Sequence, residues 1–157
     1  MTWRLVAVLL AAATLAGCGD DRPPTSRYAV EGGFAQGDAS SRFVATFVDS
    51  SLVKVEETQH FGDLGEAEVV YEVDDGQLVY YRRNESRQRM GPDASGSEQV
   101  ELELEFTPDG RLLRGVKLVD GEPSEMLGYE APGARRHFAE LSQRAREAGA
   151  TARARLH

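Results

Sequence analysis

The chain has 157 residues, a formal net charge of −8, one cysteine and a mean hydropathy of −0.42. That is the length of one domain. A single thiol excludes an intrachain disulfide framework and a cysteine-rich zinc site, and the acidic balance excludes a general nucleic-acid binder, which needs a basic surface to displace counterions from phosphate.

In chain order, the first element is an address. Arg4 precedes twelve residues, Leu5 to Ala16, in which only Thr14 is polar. The run is too short to cross a bilayer, which takes about 20 residues, and suits the apolar centre of a secretory signal. It ends in Leu15-Ala16-Gly17-Cys18. This tetrapeptide resembles the lipobox of bacterial lipoproteins. The resemblance covers only residues 1–18 and implies that a diacylglyceryl group is attached to the Cys18 thiol, that the chain is cut before Cys18, and that the new amino group is acylated. Residues 1–17 are then a signal peptide, and Cys18 is a membrane anchor rather than a redox centre. Two or more acyl chains hold stably where one holds marginally. The implied location is the bacterial cell envelope, facing the periplasm. Gly19, where an aspartate often signals inner-membrane retention, tilts the expectation toward the outer membrane.

Residues 18–27 form the lipidated cysteine and a tether. Pro23-Pro24 stiffens it toward an extended form. A single domain, 28–157, follows. Its first part alternates in strand fashion: Phe43 to Val48, Leu52 to Val55, Val69 to Val73, Leu78 to Tyr81, Val100 to Phe106 and Leu112 to Val119. Asp75-Gly76 and Asp109-Gly110 mark hairpins, because glycine accepts the positive φ of tight turns. The three units repeat: Gln77-Leu78-Val79 matches Arg111-Leu112-Leu113 at an offset of 34, and Ser51-Leu52-Val53 lies 26 residues before the second unit. The apolar parity before the turn differs between units two and three, so turns or bulges must differ as well.

Val100, Leu102, Leu104 and Phe106 share one face of a strand and Glu101, Glu103 and Glu105 the other, the pattern of a sheet with one buried side. Upstream lie Arg82, Arg83, Arg87 and Arg89. They are the candidate anion- or partner-binding residues; the competing expectation is that they pair across the ladder with the glutamates that follow. From Ala134 to Ala148 the composition favours helix, with Phe138, Leu141, Ala145 and Ala148 in one stripe and Gly149 as its expected end. Ala134 to His157 carries six arginines against two glutamates, opposite in sign to the acidic body. The expected fold is α+β, mainly β: an antiparallel meander of about six strands with one C-terminal helix, about 134–148, packed on it.

Chemistry is sparse. His137 reads as an exposed helix residue and His157 as a chain end. Glu57, His60 and Asp63 cannot share a strand face at spacings of three, so no metal site is expected. Ser95 has no partner to activate it, and no Walker, His-Glu-x-x-His or Gly-x-Ser-x-Gly motif occurs. Tyr71, Tyr80, Tyr81 and Tyr129 suit strands and a binding face alike. No catalytic residue or cofactor is expected. The sequence points to a non-catalytic, membrane-anchored envelope lipoprotein that binds a protein or envelope component. The alternative is a periplasmic inhibitor or sequestrant resembling the small lysozyme-inhibitor lipoproteins, although those commonly carry a cysteine pair that this chain lacks. Loop 90–97 is where such inhibition would map.

Overall fold

A computed structural model describes residues 26–89 and 95–154. Cys18, the signal sequence and most of the tether therefore lie outside the described residues, as do 90–94 of the loop and 155–157. Eight strands run in chain order: β1 (Arg27–Gln36), β2 (Ala39–Val48), β3 (Ser51–Phe61), β4 (Gly65–Asp74), β5 (Gln77–Gln88), β6 (Ser97–Phe106), β7 (Leu112–Val119) and β8 (Glu122–Pro123). Each pairs antiparallel with the next, giving one open meander; among the described residues a short 3-10 turn (Gly62–Leu64) joins β3 to β4, and one α-helix, α1 (Glu130–Ala154), follows the sheet.

The six expected strands are β2 to β7. The sequence pattern hides β1 because Gly32 stands on its inner face. The space a side chain would occupy there holds the Phe43 ring, since a Cβ on Gly32 would lie 2.4 Å from Phe43 Cζ. β8 is a two-residue bridge to β7, too short to show periodicity.

The hairpin repeat is built into the backbone. Thr46 pairs with Lys54 but Phe47 with Leu52, which leaves Val53 as an extra residue on β3. In the same way Val79 is extra on β5 and Leu113 on β7. These are the three matched positions of the repeat. Such bulges bend a strand and sharpen its twist, and here they recur on alternate strands. The turns differ as the parity required. Asp49-Ser50 and Asp75-Gly76 have positive φ at both central residues, 46° and 77° in each case, which are type I′ loops. The third turn has one residue more. Gly110, at φ 80°, donates its N–H to the Thr107 carbonyl at 2.8 Å.

Alternation puts Val55, Val69, Tyr71, Leu104 and their cross-strand neighbours on one concave, buried face. α1 crosses that face. Its start is tied to β7 by Lys117 Nζ and Glu130 Oε1 at 2.7 Å. Phe138 then stacks on Tyr71 of β4, with ring centroids 5.9 Å apart. His137 reaches β3, and Arg144 lies over the Phe34 ring of β1 at 5.0 Å. Ala131, Ala134, Leu141, Ala145 and Ala152 are buried beneath it, and small residues let the helix sit low in the curved sheet.

The helix is longer than expected at both ends. Pro132 and Gly133 fall in its first turn, where proline loses no helical hydrogen bond. Glu130 Oε2 accepts the Leu127 N–H at 2.6 Å and anchors that end. Gly149 does not stop the helix; it is an interior residue over Phe47, where a Cβ would stand 3.4 Å from the ring.

Candidate functional site

Among the described residues the concave face carries one buried carboxylate. Glu57 shares parity with Val55, so β3 turns it inward, and its side chain is fully inaccessible. Charge without solvent is tolerated only when hydrogen-bonded and paired. Four donors converge on it. Ser41 Oγ of β2 bonds Oε1, while the Tyr71 hydroxyl of β4 and Gln59 Nε2 each lie 2.9 Å from Oε2. His137 Nε2 of α1 lies 2.9 Å from Oε2 and 3.1 Å from Oε1. A carboxylate only accepts, so Nε2 is the protonated nitrogen. His137 is thus no exposed surface residue. It stands on the helix stripe, three residues after Ala134 and four before Leu141, and its side chain is only 32% exposed.

The two partners reinforce each other. Burial alone would push the Glu57 carboxyl up, but the bonds from His137 and Ser41, with the imidazolium charge, hold it below its usual value. The bond to Glu57 raises His137 against the cost of burial. Burial, then the Glu57 charge, pushes Tyr71 far up, so its hydroxyl stays a donor.

Beside this cluster a cleft of about 690 Å³ opens between the sheet and one flank of α1. Phe34, Phe61, Tyr81, Val100, Leu102 and Tyr129 supply apolar and aromatic wall, and Gln59, Arg83, Glu85, Arg87 and His137 supply polar groups. A volume of several hundred cubic ångströms with mainly apolar walls and a few placed polar groups is the ordinary form of a small-molecule site.

The arginines do not form one patch. β5 is next to β6, as the pairing expectation required, yet the partners differ. Arg82 is exposed and stands opposite Glu103. Arg87 pairs with Glu98, Nε to Oε1 at 2.6 Å, and Arg89 pairs with Asp120. Arg83 stands opposite Leu102, turned into the cleft, with Nη2 3.1 Å from Glu85 Oε2. Of the tyrosines, Tyr71, Tyr81 and Tyr129 line the cleft. His60 faces outward, 3.6 Å from Glu66. No group of three or more metal-ligating side chains occurs among the described residues, and no helix there is long and apolar enough to cross a membrane.

Comparison with protein-family models, with curated proteins and with solved structures gives no match. Function rests on the site itself.

Proposed function

We propose that this chain is a lipid-anchored binding module of a bacterial envelope, held at the membrane through Cys18 and facing the periplasm, which carries a small ligand in the cleft beneath α1. The observation that supports the binding role is the cleft of about 690 Å³, walled mainly by aromatic and aliphatic side chains at the open end of a curled sheet. Phe138, Leu141 and Ala145 of the helix fill the middle of the concave face, and this cleft runs along the flank of Gly133, Ala134 and His137; a second cleft of about 800 Å³ on the opposite flank is lined mainly by polar and charged side chains, Arg135, Arg136, Gln143, Arg146 and Glu147 among them. Glu57 and His137 are matched to each other, as in a site that orients a ligand rather than one that attacks it. His137 is engaged as an ion-paired donor and is a poor base in that state.

Two experiments test the two halves. Wild type should partition with membranes and carry an acylated Cys18 at its N-terminus by mass spectrometry, and Cys18→Ser should do neither; equal partition of both removes the anchor. For the cleft, the full chain in lipid nanodiscs is exposed to a small-molecule extract of the envelope and washed. Bound compounds are released and identified by mass spectrometry. A compound retained by wild type and lost from Leu102→Trp, which fills the cleft wall, supports the reading. Equal retention by both, or by neither, refutes it.

A further inference from the structure

Arg83 gives the cleft a chemical preference. Its parity with Tyr81 turns it inward, and its guanidinium lies 5.7 Å from the centre of the Phe61 ring. An arginine presents Nε and Nη2 along one edge, a fork that matches the two oxygens of a carboxylate. Only half of this edge is used. Glu85 meets Nη2 at 3.1 Å, while Nε is buried and has no hydrogen-bond partner among the described residues. Glu85 lies two residues along the same strand and also acts on Arg87. The other cleft cations are differently placed: Arg87 uses its Nε on Glu98, and His137 is held by Glu57.

A buried donor on a charged group without an acceptor is costly, and nearly all such groups in native proteins are satisfied. Arg83 lines the cleft and its side chain is partly exposed, so a turn of the guanidinium toward the cleft lets an acceptor there meet Nε. Phe61 beneath the guanidinium, with Phe34, Val100 and Leu102 nearby, fits an apolar body attached to that acceptor.

We infer that the cleft takes an amphiphilic acid: a carboxylate received on the Nε and Nη2 edge of Arg83, with its apolar body along the aromatic and aliphatic wall. This rests on the reading of the cleft as a ligand site. The test is equilibrium dialysis of the full chain in lipid nanodiscs, with empty nanodiscs as blank. Two acid–alcohol pairs serve as probes, 2-naphthoate with 2-naphthalenemethanol and dodecanoate with 1-dodecanol. In at least one pair the acid should bind wild type about tenfold more tightly than its alcohol. Arg83→Gln should reduce that ratio to within about twofold while changing alcohol binding little, and Arg83→Lys, which keeps the charge but lacks the fork, should restore it only in part. Acid and alcohol binding wild type equally well would overturn the acid preference and leave the cleft reading standing. So would a preference that survives in Arg83→Gln. Binding of none of the four probes would remove the cleft reading itself. The wild-type ratio needs no variant, so a poorly folding Arg83→Gln does not spare the inference.

Discussion

Replacing His137 with alanine removes the cation that α1 supplies to Glu57 while leaving the carboxylate without solvent access. Deleting one member of a buried ion pair costs about 3–5 kcal/mol. Ser41, Tyr71 and Gln59 still donate to Glu57, so the loss should fall at the lower end, about 3 kcal/mol. For a domain of this size that lowers the melting temperature by about 10 °C. Urea unfolding of both proteins across pH also tests the sign. His137 is raised by its bond to Glu57, so its contribution is complete below its ordinary value of 6.5 and is lost as pH climbs through the raised folded value. Glu57 is lowered, so its contribution is complete above 4.5 and is lost as pH drops through the lowered folded value. Both are at full strength between pH 4.5 and 6.5. Around the imidazole, Glu57 and Glu140 favour its charge and Arg83 opposes it. The gap between wild type and His137→Ala should therefore be widest near pH 6 and shrink toward pH 9. A gap under about 1 kcal/mol near pH 6, or one that does not shrink, would refute the buried ion pair.

Four further substitutions follow from the same geometry. Tyr71→Phe keeps the ring but removes one donor to Glu57; it should cost about 1.5 kcal/mol and move the acid limb of the stability curve to higher pH, read by urea unfolding. Ser50→Gly relieves an L-residue held at φ 77° and should stabilise by about 0.5–1 kcal/mol, whereas Gly65→Ala, at φ 138° with a Cβ 2.0 Å from the Ser86 carbonyl oxygen, should lose about 3 kcal/mol. Gly149→Ala should gain up to about 1 kcal/mol from helix propensity, since its Cβ meets Phe47 at contact distance. A thermal melt that ranks Gly149→Ala below wild type would show that the helix sits closer to β2 than described.

The sheet was legible wherever both faces of a strand were written in side chains. Val100 to Phe106 alternates without a fault and lies as expected, buried on the apolar side and exposed or half-buried on the glutamate side. β1 was not legible, because Phe43 of the neighbouring strand fills the place above Gly32, and packing by a neighbour leaves no mark in local periodicity. The helix ends differ for a similar reason: Gly149, the expected end, is tolerated by its packing over Phe47, and the helix begins before Ala134 because its first turn accepts Pro132 and Gly133. Half of the polar site was open to view. Glu57 continues the inward parity of Val55, and His137 falls between Ala134 and Leu141 on the helix stripe, so each could have been marked as a polar group on a core face. That they meet, 80 residues apart, depends on where α1 crosses the strands, which no spacing records.

Val53, Val79 and Leu113 each interrupt the ladder one residue after a leucine, on the returning arm of a hairpin. The arch over the helix is therefore assembled from three equivalent notches rather than from one gradual bend. A deletion confined to any of those residues should straighten a third of the arch and tilt the groove wall on that side, while an inserted hairpin with its own notch would widen the groove without disturbing its neighbours. Pocket width in this architecture is a property that changes in steps, hairpin by hairpin.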